Sequence, residues 1–218
     1  MAADAQTAFE PRKTPVQARA AVTVGAISEA TIQVLLSHGA DRLTTTRVAE
    51  RAGISVGTLY QYYPNKQSLL FAVLKDHLEK VAAAVETACG RARYKPLLEM
   101  VREVVESFVD AKMERPDISM ALYQIAADAG GPALIRRVSR RSRKALEAVL
   151  ETAPDTESPP DGFAIDMMFA AMAGAMRSVL EAGAPPAMVR KLRDHLVLLC
   201  QRYMAGVTAG RPFDMPMK

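Results

Sequence analysis

Hydroxyl and amide side chains gather in one stretch of this sequence, Leu43–Lys66, where their spacing suits contact with nucleic acid. Hydroxyls and amides bond to phosphate oxygens, and an amide can also read the edge of a base. The lysine at the end of the stretch adds a positive charge. The side chains predicted to face outward on the second half of the stretch are Val56, Gly57, Thr58, Tyr60, Gln61 and Tyr62.

Two short helices joined by a tight turn are predicted to position these side chains. Thr44 suits the N-cap of the first helix, and Gly53 can take the left-handed conformation that closes it. Ser55 suits the N-cap of the second helix, which Pro64 ends. Residues 53–55 remain for the turn, the length expected of a helix-turn-helix. The residues predicted to form the buried seam are Val48, Ala49, Ala52, Ile54 and Leu59.

The segment AERAGISVGTLYQYYPNKQSLL resembles the DNA-binding signature of the TetR (tetracycline repressor) family of bacterial transcriptional regulators. The similarity covers about 21–81, and its small, glycine, tyrosine and lysine positions match in order. One departure is Tyr63, where the family usually has phenylalanine; we expect it to pack inward with its hydroxyl reaching water. The family's first-helix pattern is found at Ile27, Ala30, Thr31, Val34, Leu35 and Gly39.

Residue types and the resemblance together predict the contacts with a double-stranded DNA operator. Lys66 is poorly placed for the helix dipole alone, and a phosphate held between it and free N–H groups would explain it. Phosphate contacts are predicted for Thr45, Thr46, Tyr62 and Lys66, and base contacts for Val56, Gly57, Thr58 and Gln61. The resemblance implies that Arg47, Ser55 and Tyr60 support the backbone.

Composition bounds the class of protein. The chain has 218 residues, half of them apolar, and a net charge of +4, which is consistent with a polyanionic partner. Cys89 and Cys200 lack metal or redox spacing, so we expect a reduced cytoplasmic protein, and no metal or cofactor is predicted. The resemblance implies a location at the bacterial nucleoid. The longest apolar run, 165–176, is expected to fall short of a membrane span, so no membrane partner is predicted.

An all-α fold is predicted, since no segment shows the alternation of a strand. Residues 1–64 are interpreted as an arm and a three-helix DNA-binding domain, with its helix-turn-helix at about 44–63. Residues 65–218 are interpreted as a helical ligand-binding and dimerisation domain. Residues 1–16 are either a disordered terminus or a basic arm that touches DNA. Predicted helices span about 17–38, 45–51, 56–62, 66–89, 95–114, 117–129, 132–153, 162–182 and 186–205.

A ligand pocket is predicted among the methionine and aromatic side chains of the second domain, because methionine makes an adaptable apolar interior. His77 is either a ligand contact or a core histidine with its hydrogen bonds satisfied. Asp166 either pairs with a cationic ligand or is simply an acid favoured in a first helical turn. The candidate lining residues are His77, Met100, Phe108, Met120, Tyr123, Asp166 and Phe169. The expected effector is a small apolar or aromatic molecule.

A homodimer is predicted from the last two helices. The first of them is apolar nearly all round, so it should be buried on every side, and its small residues let another backbone approach. The resemblance implies a four-helix bundle formed by the last two helices of each subunit; the alternative is that both helices are monomer core. The candidate interface residues are Ala170, Ala171, Gly174, Ala175, Leu192, Leu196 and Leu199.

Six basic residues lie within nine positions of the helix predicted at 132–153. They are a second nucleic-acid surface, the rim of a pocket for an acidic ligand, or a solvated helix face. The run comprises Arg136, Arg137, Arg140, Arg141, Arg143 and Lys144.

The favoured function is a ligand-responsive repressor that binds a palindromic operator as a homodimer. An enzyme is disfavoured, because the three histidines are scattered and no nucleophile–base or metal spacing appears. An architectural protein without sequence specificity would favour a higher charge density and would not need a large apolar second domain.

Overall fold

The computed structural model describes residues 18–127 and 130–209, and this part of the chain forms nine helices and no strand. The arm predicted at 1–16 lies outside the described residues. The all-α prediction is confirmed. The helices are α1 (Ala18–Arg42), α2 (Thr45–Ala52), α3 (Val56–Tyr62), α4 (Lys66–Ala92), α5 (Leu97–Met113), α6 (Pro116–Ile125), α7 (Gly131–Leu150), α8 (Gly162–Glu181) and α9 (Pro186–Thr208).

The described residues separate into two compact units. The first unit contains residues 18–79 and the described part of 117–136, and the second contains 80–116 and 137–209. The division falls within α4 and within α7, and the domain boundary after residue 64 stays a prediction.

The first unit is built on a small apolar core shared by α1, α2 and α3. Ile27, Val48 and Leu59 are completely buried in it. Thr31, also buried, donates its hydroxyl to the carbonyl of Ile27 at 2.7 Å, so no polar group is left unpaired at that point. Gly39 takes a φ of 77° and interrupts the helical geometry of α1, where the sequence predicted that helix to close.

The second unit has a methionine-rich core contributed by α5, α8 and α9. Its buried members include Met100, Met168, Met172, Met176 and Met204. Pro96 gives α5 no side-chain cap, but Asp155 accepts a hydrogen bond from the Leu97 N–H at 2.8 Å and replaces it. The polar loop after α7 therefore holds the start of α5.

Five helix ends differ from the prediction by three or four residues. Helix α1 continues to Arg42, past the predicted 38, and α7 ends at Leu150, before the predicted 153. Helix α4 continues through Gly90 to Ala92, because Ala92 is completely buried and its packing outweighs the low helix propensity of glycine. Helix α9 continues to Thr208 around the buried Met204. Helix α6 ends at Ile125, before the predicted 129; a Cβ on Gly131 would lie 2.1 Å from the carbonyl oxygen of Ala126, so the chain reverses too tightly for a longer helix.

Within the described residues, two helices are long and apolar enough to cross a membrane by length and composition alone, 20–42 and 162–181. The apolar run 165–176 was expected to be too short for a membrane span. This expectation is wrong for the helix that contains the run, because α8 has 20 residues. Core helices of folded domains pass the same test, and it is weak evidence for a membrane protein.

Candidate nucleic-acid interface

The helix-turn-helix forms with the caps that the sequence predicted. Thr44 is extended and its hydroxyl accepts a hydrogen bond from the Arg47 N–H at 3.3 Å. Gly53 closes α2 in the left-handed conformation, with φ 68° and ψ 31°. Ser55 Oγ accepts from the Thr58 N–H at 3.0 Å and starts α3. Each cap satisfies a backbone group that would otherwise be free, so the turn is defined locally.

Leu59 is the one fully buried residue of helix α3, and it packs into the core of the first unit. Tyr63, directly after the helix, is 3% exposed and packs inward as predicted. Burial, and next the charge of Asp76, raise the pKa of the Tyr63 phenol. The remaining side of α3 faces outward or is half-buried, and it carries Val56, Gly57, Thr58, Tyr60, Gln61 and Tyr62.

Two pairs of hydroxyls lie close together beside this outward side. Thr45 Oγ1, at the start of α2, lies 3.2 Å from the hydroxyl of Tyr60 on α3. Ser55 Oγ lies 2.8 Å from Thr58 Oγ1. Tyr60 therefore ties the two helices of the motif to each other, a geometry consistent with the supporting role that the resemblance implied.

Two cations hold the turn between α1 and α2. Lys66 Nζ donates to the carbonyl of Asp41 at 3.3 Å, and the Arg47 guanidinium donates to the carbonyl of Arg42. This turn leads directly into Thr45. The structure thus brings Lys66 to the same edge of the first unit as the start of α2.

The start of α4 contains a cap that sequence reasoning missed. Asn65 Oδ1 accepts from the Ser68 N–H at 2.8 Å, and Ser68 Oγ donates back to the Asn65 carbonyl at 2.7 Å. The Leu69 N–H is also bonded within this turn. A phosphate at this helix end would meet the N–H groups of Lys66 and Gln67 only. The sequence does contain a signal for this cap, because an asparagine three residues before a serine has the spacing of a capping box.

The predicted pocket residues are divided between the two units. In the first, Ser119 Oγ lies 3.3 Å from His77 Nε2, which agrees with a core histidine whose hydrogen bonds are satisfied. Met120 and Tyr123 are half-buried there. In the second unit, Met100 and Phe108 are buried and Phe169 is half-buried.

Asp166 does not lie in an enclosed pocket. Its side chain is exposed, and it accepts a hydrogen bond from Arg143 at 3.1 Å. Asp166 is the fifth residue of α8, and the first turn of that helix contains no acid, so the interpretation of Asp166 as a first-turn acid is wrong.

The predicted interface residues have mixed exposure in the single chain. Leu199 is 50% exposed and Leu196 only 3%, so Leu196 belongs to the core of the single chain and its assignment to an interface stays a prediction. Helix α8 is not buried on every side either, because Phe163 and Met167 are exposed large apolar residues. The other candidates, Ala170, Ala171, Gly174, Ala175 and Leu192, are exposed or half-buried. Sequence reasoning missed the exposed Phe163, Met167 and Leu198.

Comparison with known proteins gives two family matches. Residues 27–73 match the family model described as bacterial regulatory proteins, tetR family. Residues 96–204, half of the chain, match the model described as tetracyclin repressor-like, C-terminal domain.

Individual relatives agree with these matches. The transcriptional repressor KstR of Rhodococcus jostii is 28% identical over 64% of this chain, but the match spans only 63% of KstR. LfrR of Mycobacterium smegmatis, solved in complex with proflavine, is 26% identical with a TM-score of 0.55 over 83% of this chain and 96% of LfrR. FadR of Bacillus subtilis, solved in complex with stearoyl-CoA, is 16% identical with a TM-score of 0.67 over 84% and 98% of the two chains, which shows a shared fold.

Proposed function

We propose that this chain, which belongs to the TetR family of bacterial regulatory proteins, represses transcription by binding a palindromic operator as a homodimer and is released from it by a small apolar or aromatic ligand. Members of this family are DNA-binding transcriptional regulators and not enzymes. The proposed repressor acts in the bacterial cytoplasm, at the nucleoid.

The observation that carries the DNA-binding part is the outward side of α3 next to the start of α2. Leu59 is the one fully buried residue of α3, so most of the polar side of the helix is left for an external partner. We assign phosphate contacts to Thr45, Thr46, Tyr62 and Lys66, and base contacts to Val56, Gly57, Thr58 and Gln61. Arg47, Ser55 and Tyr60 hold the backbone through the bonds described above. Hydroxyls and a lysine position the protein on the duplex, and the amide of Gln61 reads a base.

The homodimer is supported by an exposed apolar row on α8. Phe163, Met167, Ala170 and Gly174 follow one another at intervals of three and four residues, so they share one helix face. Phe163 is 71% exposed, which is costly for a phenylalanine in an isolated chain. Exposed Met188 and Leu199 on α9 add to this apolar surface. A two-fold axis through such a surface would bury it against its own copy.

The ligand part is supported by the methionine-rich core of the second unit and by the relatives' ligands. Proflavine is aromatic and stearoyl-CoA has a long apolar chain, and both are bound by proteins of this fold. Release requires the ligand to bind the shape that is incompetent for DNA more tightly, typically by about 1–3 kcal/mol. A shift of α4, whose first residue is Lys66, would move the two recognition helices away from a separation of one DNA turn, about 34–36 Å.

Selection of DNA fragments by the purified protein tests the proposal. We expect a palindrome whose half-sites are centred about one DNA turn apart, bound far more tightly than random DNA as salt is raised. Recovered fragments without a common sequence would instead favour an architectural protein. Ligands found by a rise in melting temperature are then titrated against the operator complex. A true inducer binds free protein more tightly than the complex, and equal affinity for both refutes induction by that compound.

A further inference from the structure

The basic run on α7 consists of two groups of side chains with different surroundings. Arg141 forms an ion pair with Glu86. Arg143 pairs with Asp166 at 3.1 Å and with Glu147 at 3.3 Å. These two arginines therefore connect α7 to α4 and α8, and the fold accounts for them.

Four further cations have no such explanation. Arg136, Arg137, Arg140 and Lys144 are exposed and make no hydrogen bond or ion pair with another described residue. Intervals of three and four residues place Arg137, Arg140 and Lys144 in line on one helix face. We call these three residues the α7 basic row.

The stability of α7 does not require this row. Like charges at these spacings destabilise a helix by about 0.2–0.5 kcal/mol per pair. The helix also has no acid in its first turn and no base in its last, so it lacks the end charges that its dipole favours. An external anion bound at the row would offset the repulsion among the three cations.

The shape and chemistry of the surface select the class of anion. The row lies on a convex, exposed helix face, whereas small ligands bind in concave sites. This face also carries the small Ala133 and Ala148 and the acid Glu147, whose charge is paired with Arg143, and an anionic membrane would need large apolar residues beside the cations. From Arg137 to Lys144 the helix rises by seven steps of about 1.5 Å, which is about 10 Å. Duplex DNA presents about three phosphates per strand over that length, one for each cation.

We propose that the α7 basic row is a second DNA-contact surface, which binds backbone phosphates irrespective of sequence and is separate from the helix-turn-helix. Because its contacts are made to phosphates alone, the row adds affinity for any duplex and leaves discrimination between bases to Gln61 and its neighbours. The bonds of Arg141 and Arg143 keep the helix in place while the row stays free to bind.

The test compares the triple variant Arg137→Gln/Arg140→Gln/Lys144→Gln with a control that removes three charges elsewhere in the second unit, Arg91→Gln/Arg102→Gln/Arg190→Gln. Binding to a random-sequence duplex is measured against salt concentration with the full chain. We expect the salt slope of the row variant to fall by about one to three units, and its affinity at about 0.1 M salt to fall roughly tenfold for each phosphate that it no longer binds. Its ratio of affinities for two sequences selected by the protein and differing in one base pair should not change.

An equal decrease in both variants would overturn the proposal, because net charge would then explain it. An unchanged row variant would also overturn it and leave a solvated helix face. If the row variant binds DNA normally but no longer binds vesicles of anionic lipid or an acidic protein, the proposed DNA partner is wrong. A second measurement needs no substitution and therefore remains valid if the row variant does not fold. In the wild-type protein, random DNA should protect Lys144, but not the exposed Lys191, from acetylation. Equal acetylation of Lys144 with and without DNA refutes the contact.

Discussion

Thr45 and Tyr60 join the two helices of the DNA-binding motif through their hydroxyls, which lie 3.2 Å apart although the residues are 15 positions apart in the chain. Thr45 stands at the start of α2, and Tyr60 lies on the outward side of α3 and is 43% exposed. This pair therefore positions α2 and α3 relative to each other at the surface proposed to meet DNA.

Tyr60→Phe is expected to weaken operator binding while leaving the fold intact. A neutral hydrogen bond contributes about 0.5–1.5 kcal/mol, so affinity should fall about two- to tenfold for every DNA sequence. Fluorescence anisotropy with operator and random duplexes measures the change. Thr45→Ser keeps a hydroxyl and is the control, with near wild-type affinity expected. A decrease restricted to the operator would instead make Tyr60 a base-reading residue.

Lys66→Ala is expected to weaken binding to all sequences, and Gln61→Ala to relax preference at one base pair. Removing one phosphate contact reduces the salt slope by about one unit per half-site, whereas removing a bidentate base contact costs about 1–3 kcal/mol. Lys66 also donates to the Asp41 carbonyl, so melting temperature is measured alongside. An unchanged salt slope for a folded Lys66→Ala protein would refute the phosphate contact.

Gly57→Ala is expected to stabilise the protein and weaken its binding to DNA. Gly57 lies within α3, and a Cβ there would meet only Ser55 Oγ, at 3.7 Å, so nothing in the chain excludes a side chain. Alanine in a helix interior is favoured over glycine by about 0.5–1 kcal/mol, yet a methyl group would reduce close approach to a base edge. Chemical denaturation and operator titration on the same sample give both effects. Unaltered binding would remove Gly57 from the interface.

Gly174→Leu is expected to disrupt the homodimer without unfolding the subunit. A Cβ at Gly174 meets no atom within 4 Å in the single chain, so the added side chain has room unless a second copy covers it. Overpacking costs about 1–3 kcal/mol, and two-fold symmetry introduces the clash twice. Light scattering should show monomers at micromolar concentration, with helicity retained in circular dichroism. Gly90→Leu, at another open helical position, is the control. A dimer that survives Gly174→Leu would place the interface elsewhere.

The two cysteines are expected to be inert in the native protein and to lower its stability at alkaline pH. Burial is the main cause that raises the pKa of Cys89 and Cys200 from 9.0 to about 11. Between these values the unfolded chain loses its thiol protons before the folded one, so the free energy of unfolding falls as pH rises from about 9 to about 11. Thiol reagents should therefore react only after unfolding. Cys89→Ala/Cys200→Ala should reduce the alkaline loss of stability, and rapid labelling of the native wild type would contradict the burial argument.

Local signals in the sequence were sufficient for the helix-turn-helix. Thr44, Gly53 and Ser55 act on backbone groups within about three residues of themselves, so their types and order predict the caps that the structure contains. The inward packing of Tyr63 was predicted in the same way, because it directly follows α3.

Only the tertiary structure decided which residues of an apolar stripe are buried and which residues of a basic run form ion pairs. Leu196 and Leu199 lie on one predicted apolar stripe, yet only Leu196 is buried. Arg141 and Arg140 are adjacent in the basic run, but only Arg141 meets a partner, Glu86, which is 55 residues away. Periodicity identifies a helix face, but burial and pairing depend on neighbours that are distant in sequence and are brought close only when the helices pack.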